Sequence, residues 1–220
     1  MESSNDIKRQ LIRDGVITDP DSPKGVLLNK AAHLFRTQGY ERTTVRDIGR
    51  EVGILPGSIF HHFRSKDEIL RTVMRENIIV SLARLRMALN QEESLEGRLR
   101  ALVRCELFAT NSEETGEAWT VLVQEWRSLS PEGQQEILVL REEYENYWLD
   151  ALETARQQGR IALDPFILRR LLAGALNWTS HWFRPDRKPG LTLDELTEEV
   201  LRLVLVPCGE QQPVSETTAV

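Results

Sequence analysis

Apolar residues recur at helical spacing through most of this chain. Between Gly25 and Gln38 they fall mostly three or four positions apart, at Val26, Leu27, Ala31, Leu34 and Phe35. Similar spacing marks several longer segments of the second half, whereas no segment shows the alternation and tight turn of a β-hairpin. The pattern predicts an all-α fold of about nine helices, three short ones followed by six longer ones.

Capping residues predict where these helices begin. A Ser or Thr that precedes an acidic residue by three positions occurs at Thr44, Ser65 and Thr192, which is the pattern of a capping box. A polar N-cap followed by proline in the first helical position occurs at Ser130-Pro131 and at Asp164-Pro165. Five helix starts can therefore be assigned from local chemistry alone.

The chain divides into four segments by composition. Residues 1–23 are polar and end in a cluster of breakers, so we expect a mobile arm. A short helix is the alternative there, carried by Ile7, Leu11 and Ile12. Residues 24–70 form a small first domain, residues 71–207 a larger helical domain, and residues 208–220 a frayed tail.

The distribution of charge changes what the net charge implies. The 220 residues carry a net charge of −6, which argues against a nucleic-acid partner. Within residues 24–70, however, eight Lys and Arg oppose five Asp and Glu, which gives +3 and leaves −9 for the remainder. Because charges act over about 10 Å at 0.1 M salt, a phosphate responds to the local excess.

Missing signals exclude several functional classes. No run of roughly 18 apolar residues predicts a membrane span, and the N-terminus lacks an apolar signal region. The two cysteines, Cys105 and Cys208, form neither a disulfide framework nor a zinc site, which favours the cytoplasm. Enzyme motifs are absent, so we expect no catalytic residue, cofactor or metal. Adjacent His61 and His62 lie about 100° apart on a helix and cannot easily share an ion.

Residues 43–66 contain two short helical segments joined by a glycine-containing turn. The second begins with Gly57 and Ser58, whose small size lets the backbone approach DNA while the helix N-terminus favours phosphate. This is the pattern of a helix-turn-helix, whose second helix lies in the major groove. The expected phosphate contacts are Thr43, Thr44 and Lys66.

A longer pattern surrounds this segment: Ala32, Leu34-Phe35, Gly39-Tyr40, Thr43 to Ile48, Val52 to Ile54, Gly57-Ser58, Phe60 to Phe63, Ser65 to Asp67 and Leu70. It resembles the DNA-binding domain of the TetR family of bacterial repressors over about 45 residues. The resemblance implies a homodimer that binds a palindromic operator in double-stranded DNA and is released by a small ligand. It also implies base or backbone contacts at Arg46, Pro56, Gly57, Ser58, His61 and His62.

Two positions depart from that family pattern. Gly49 stands where alanine is usual, which weakens the supporting helix by about 1 kcal/mol at most. Phe60 stands where tyrosine is usual, so it keeps the packing at this DNA-facing position but loses a hydroxyl that usually bonds a phosphate.

A second pattern lies near the C-terminus: Asn177-Trp178, His181 to Pro185, Leu191-Thr192 and the closing helix. Residues 174–205 resemble the corresponding region of TetR regulators that sense acyl-CoA thioesters and control lipid breakdown. The resemblance implies an acyl-CoA effector. An unrelated hydrophobic or aromatic effector is the alternative.

Aromatic residues outside the basic segment are the candidate ligand contacts. Trp119 and Trp126 are seven residues apart and so share a predicted helix face, while Trp178 follows Asn177, a candidate donor to a thioester. Ordinary packing is the alternative for each. The candidates for a dimer interface are Trp182, Leu196, Val200 and Leu203.

Two charged clusters can be interpreted as solvated surface or, for the first of them, as a ligand contact. Arg169-Arg170 either attracts coenzyme A phosphates at a pocket mouth or forms a solvated face. Glu142 to Glu145 is expected to be a solvated helix surface.

Three classes of function remain: a ligand-responsive transcriptional repressor, an all-α enzyme or carrier, and a helical adaptor. A basic helix-turn-helix followed by an acidic helical domain favours the first.

Overall fold

The structure is a computed structural model that describes residues 4–113, 115–184 and 190–206. These residues form ten α-helices and no strand. The helices are α1 (Ser4–Arg13), α2 (Pro23–Gln38), α3 (Val45–Val52), α4 (Pro56–Ile59), α5 (Lys66–Asn90), α6 (Leu95–Asn111), α7 (Gly116–Glu125), α8 (Pro131–Gln157), α9 (Pro165–Trp182) and α10 (Leu193–Val204). The all-α prediction is confirmed, and the nine predicted helices are α2 to α10. No helix in these ranges is long and apolar enough to cross a membrane.

The tenth helix, α1, lies in the segment expected to be a mobile arm. Residues 4–13 are helical, which is the alternative that the sequence left open, and α1 contacts α5. The residues after it also attach to α5, because Thr18 Oγ1 donates to Glu76 Oε1 at 2.7 Å and Arg75 Nη1 donates to the Val16 carbonyl at 3.2 Å. The composition of residues 1–23 does not predict this attachment, because the attachment depends on residues almost sixty positions away.

Capping explains the observed helix starts. Thr44 and Thr192 form complete capping boxes with Asp47 and Glu195, and the Ser65 side chain accepts from the Glu68 N–H. Ser130 and Asp164 cap α8 and α9, each with proline in the first turn. The predicted starts of these five helices are confirmed.

One hydrophobic core runs from the N-terminal helices into the body of the protein. Ile48, Ile59 and Phe63 hold α3 and α4 against α2, and Leu70 and Ile78 of α5 continue the same core toward α6 to α9. At 1.5 Å per residue, the 25 residues of α5 span about 37 Å. A single helix therefore joins the two ends of the molecule.

The turn between α3 and α4 generates the first prediction. Gly53 has φ +81°, in the left-handed region that favours glycine, so Gly53→Ala should lower the free energy of unfolding by about 1–2 kcal/mol. Gly57→Ala is the matched control, because a Cβ there meets no atom within 4 Å and its φ is not positive. Urea unfolding measures both variants. Equal stability of the two would contradict the assignment of strain to Gly53.

Candidate functional site

Two glycines allow α3 and α4 to meet at a sharp angle. The Gly53 N–H donates to the Gly49 carbonyl at 2.9 Å and closes α3. A Cβ on Gly49 would lie only 3.1 Å from the Ile54 carbonyl oxygen and 3.4 Å from Pro56. Gly49, which stands where alanine is usual in the family pattern, is therefore the point at which the turn approaches α3 closely.

Helix α4 is a single turn, and together with the residues that follow it forms much of the predicted DNA surface. Gly57, Phe60, His61 and His62 are exposed, and Pro56 and Ser58 are half-buried, whereas Ile59 faces the core. On α3, Thr44 and Arg46 are also exposed. These eight predicted DNA contacts are therefore accessible to a partner.

Thr43 is the exception and corrects its prediction. Its side chain is fully buried, at 0% exposure, and its hydroxyl donates to the Gly39 carbonyl at 2.8 Å. A phosphate cannot reach that hydroxyl, so Thr43 instead holds the loop between α2 and α3. The neighbouring Thr44 N–H and hydroxyl donate to the Asp47 carboxylate at 3.0 and 2.6 Å, and these bonds lower the pKa of Asp47.

Lys66 is tied to the protein more closely than a phosphate contact requires. Its ammonium donates to the Tyr40 carbonyl at 2.9 Å and the Thr43 carbonyl at 3.0 Å, and it lies 4.0 Å from the centre of the Tyr40 ring. Burial raises the pKa of that tyrosine to about 12. Because an ammonium carries three N–H donors, one remains for a ligand. Lys66 thus fastens the start of α5 to the loop that precedes α3.

A cavity of about 250 Å³ lies in the larger domain, where each of the helices α5 to α9 contributes to its wall. Its lining residues are Ile78, Glu106, Trp119, Leu122, Val123, Arg141, Tyr144, Glu145, Arg169, Arg170, Ala173, Gly174 and Asn177. Trp119 Nε1 donates to Asn177 Oδ1 at 2.8 Å, and Asn177 Nδ2 donates to the Ala173 carbonyl at 2.7 Å. The structure therefore brings two predicted ligand contacts together, with Asn177 orienting the indole.

The other two predicted ligand contacts do not line this cavity. Helix α7 ends at Glu125, so Trp126 begins a short 3-10 turn and leaves the face that carries Trp119. Trp178 is 61% exposed, stacks on His181 at 4.2 Å, and borders a depression of about 280 Å³ that shares Val123, Gly174 and Asn177 with the cavity. The assignment of Trp126 and Trp178 as ligand contacts therefore stays a prediction.

A buried ion-pair cluster beside the cavity was missed by sequence reasoning. Arg169, only 3% exposed, places Nη1 3.0 Å from Glu106 Oε2. Its Nε and Nη2 donate to the Glu145 carboxylate at 2.9 and 2.7 Å, and its guanidinium lies 4.5 Å from the Trp148 ring. Burial raises the pKa of Glu106, and the charge of Glu145 also raises it, whereas Arg169 lowers it. The available signal was Glu106 itself, an acid within an apolar helical stretch.

Residues 142–145 are expected from the sequence to form a solvated helix surface, but two of them are at least partly buried. Tyr144 is buried and lines the cavity, and Glu145 is half-buried in the cluster with Arg169. Within the described residues, the Tyr144 hydroxyl has no hydrogen-bond partner. Burial raises the pKa of this hydroxyl well above its ordinary value, so it is a neutral donor at the cavity wall.

The candidate dimer residues differ in exposure. On α9, an apolar face stands in solvent, formed by Ile167, Leu171, Trp178 and Trp182. On α10, Leu203 is 85% exposed and Val200 is half-buried. Leu196 is buried in the core of its own chain, where α10 packs against α6, so its prediction as an interface residue is corrected.

Comparison with known proteins decides the family. The model described as "Bacterial regulatory proteins, tetR family" matches residues 27–73, and "Tetracyclin repressor-like, C-terminal domain" matches residues 92–206. The chain belongs to the TetR family. It is a helix-turn-helix transcriptional regulator rather than an enzyme, and the resemblance of the N-terminal segment is confirmed.

Several TetR relatives cover most of both chains. The transcriptional repressor KstR2 of Mycolicibacterium smegmatis is 30% identical over 86% of this chain and 91% of its own. The fatty acid metabolism regulator protein of Bacillus subtilis is 25% identical over 81% of this chain and 92% of its own.

Three solved structures share the TetR fold of this chain. A crystal structure described as superantigen pfit is 49% identical, with a TM-score of 0.76, over 93% of this chain and 100% of that one. The ketosteroid regulator KstR2 of Mycobacterium tuberculosis is 28% identical, with a TM-score of 0.75, over 87% and 100%. AibR in complex with isovaleryl coenzyme A and operator DNA is 22% identical, with a TM-score of 0.74, over 84% and 100%, and shows the fold alone.

The internal bonds of Lys66 generate a stability prediction. Lys66→Met removes the donor for two backbone carbonyls, so the free energy of unfolding should fall by about 1–3 kcal/mol. Arg46→Met is the control, because Arg46 is exposed and its loss should change stability by about 0.5 kcal/mol at most. Thermal and urea unfolding compare the two. Unchanged stability of the Lys66 variant would show that its bonds to Tyr40 and Thr43 are unimportant.

The buried cluster generates a pH-dependent prediction. Arg169→Met leaves Glu106 buried without its cation and should cost about 3–5 kcal/mol at neutral pH. Since burial raises the pKa of Glu106 in the folded state, folding then favours its protonated form, and the deficit should be smaller at pH 5 than at pH 8.

The control is Arg170→Met, which removes an exposed arginine from the next position. Urea unfolding at both pH values is the measurement. A deficit for Arg169→Met that is independent of pH would exclude Glu106 as its origin.

Proposed function

We propose that this protein binds a palindromic operator as a homodimer and is released by a small acyl ligand, an acyl-CoA thioester. The observation that carries the proposal is the connection between two sites. An exposed recognition helix lies at one end of the molecule, an internal cavity lies in the larger domain, and α5 contributes to both regions. As a DNA-binding regulator it would act in the cytoplasm.

The exposed residues of α3 and α4 support operator binding. Gly57 and Ser58 leave room for the backbone to approach DNA, while Arg46, His61 and His62 offer donors to bases and phosphates. Thr44, Pro56 and Phe60 complete this surface, and the remaining N–H of Lys66 adds a phosphate donor. Two copies would place their α4 helices in major grooves about 34 Å apart.

The apolar face of α9 supports a homodimer. Ile167, Leu171, Trp178 and Trp182 follow one another at helical spacing and are all about half or more exposed. Large aromatic and aliphatic side chains in water are costly, and a continuous apolar patch marks an interaction surface. In the proposed dimer, a second copy covers this face together with Leu203 of α10.

The cavity supports a small acyl group as the effector. Its volume of about 250 Å³ lies below the range of roughly 300–1,000 Å³ typical of drug-sized ligands. It therefore has room for a short acyl chain against Ile78, Leu122 and Val123, but not for coenzyme A as well. The Tyr144 hydroxyl supplies a donor for the thioester carbonyl. The complex of AibR with isovaleryl coenzyme A and operator DNA is consistent with this choice.

Release follows from a shift in population. A ligand weakens DNA binding only if it prefers a conformation that binds the operator poorly. Ile78 of α5 lines the cavity, and Lys66 begins the same helix about 18 Å away. We therefore assign α5 as the element through which a filled cavity displaces the recognition helix.

A second candidate function rests on the 49% identity with the chain described as superantigen pfit. In that case the purified, endotoxin-free protein would stimulate T cells polyclonally. Absence of stimulation would exclude this second function.

The experiment that tests the proposal is a gel-shift titration on the promoter DNA of the protein's own gene, with and without acyl-CoA thioesters. We expect a specific complex that weakens steeply with salt and dissociates when the thioester is added. Ser58→Ala should change preference among operator variants, whereas Lys66→Met should weaken binding to all of them alike. Absence of any specific complex would refute operator binding. A complex that does not dissociate when thioesters are added would refute the acyl-CoA thioester as the effector.

A further inference from the structure

The cavity wall holds more guanidinium groups than carboxylates. Arg141, Arg169 and Arg170 line it together with Glu106 and Glu145. Arg169 bonds both carboxylates, which leaves them committed to one cation. Within the described residues, neither Arg141 nor Arg170 forms an ion pair with a carboxylate. The cavity therefore carries uncompensated positive charge.

Aromatic rings support the two unpaired arginines without neutralising them. The Arg141 guanidinium lies 5.2 Å from the centre of the Trp126 ring, and the Arg170 guanidinium lies 4.8 Å from that of Phe166. Burial lowers the pKa of Arg141, the charge of Glu145 raises it, and the charges of Arg170 and Arg169 lower it. An anion at this point would relieve that repulsion. Trp126 thus has a role outside the cavity, as a support for Arg141.

We propose that Arg141 and Arg170 form an anion-binding subsite in the wall of the cavity. The effector then has two parts, an apolar group against Trp119 and Leu122 and a negative charge held by the two guanidiniums. Charge-assisted bonds from arginine to carboxylate or phosphate are among the stronger polar contacts in proteins. This inference rests on the proposed acyl effector and adds that the effector is recognised by its charge.

The anion has two possible sources with the same chemistry. It is either the carboxylate of a free acid that enters the cavity or a phosphate of the coenzyme A arm at its mouth. Arg141 is half-buried and Arg170 is exposed, so the subsite extends from the cavity interior to solvent. Matched probes of different charge distinguish these sources.

The test is calorimetric titration of the full-length protein with hexanoic acid, hexanamide and hexanoyl-CoA at fixed ionic strength. We expect at least one anionic probe to bind tenfold or more tightly than the neutral amide. Arg141→Gln and Arg170→Gln should each weaken that anion about tenfold and leave the amide unchanged. Loss confined to hexanoyl-CoA identifies a phosphate, and loss that includes hexanoic acid identifies a carboxylate.

Arg127→Gln is the matched control, because Arg127 lies 5.7 Å from the same Trp126 ring but is exposed and absent from the cavity lining. Arg141→Lys should restore part of the affinity, and thermal unfolding verifies that every variant is folded. Equal binding of amide and anions, or an equal loss in the Arg127 variant, would overturn the subsite. If no probe binds, the subsite and the acyl effector both fail, while a gel shift on the same preparation tests operator binding separately.

Discussion

The ammonium group of Lys66 fastens the DNA-binding segment to the helix that reaches the cavity. It closes the loop before α3 by bonding the carbonyls of Tyr40 and Thr43, and it begins the helix that reaches the cavity at Ile78. Helix α5 is continuous over 25 residues, so in the proposed mechanism a displacement at one end is carried to the other. The position of the recognition helix therefore depends on what α5 packs against in the larger domain.

The same balance of charge and burial shapes the larger domain. Placing Arg169 between Glu106 and Glu145 satisfies three groups that would be costly to bury alone. It also makes the cavity selective, because the arginines that face it are no longer matched by acids. The chain has a net charge of −6, yet its DNA-binding segment and its cavity wall both carry an excess of basic residues.

Local chemistry accounts for what could be predicted from the sequence. Helix starts followed from capping residues such as Thr44 and Ser130, and the exposed recognition helix followed from small residues at its N-terminus. The errors arise where burial depends on tertiary contacts or on the exact end of a helix. The attachment of residues 16–18 to α5 and the pairing of Arg169 with Glu106 join elements about sixty positions apart in sequence. The burial of Thr43 depends on how the loop after α2 folds back, because its hydroxyl bonds the carbonyls of Leu34 and Gly39. The exit of Trp126 from the helix face required knowing where α7 ends.

In the proposed mechanism, the cavity and the recognition helix are coupled. Linkage requires that a ligand which weakens operator binding is itself bound more weakly when the operator is present. The most direct measurement is the dissociation constant of hexanoyl-CoA with and without saturating operator DNA, beside that of the operator with and without the thioester. We expect both constants to rise by the same factor. A thioester affinity that is identical on free and DNA-bound protein would contradict it.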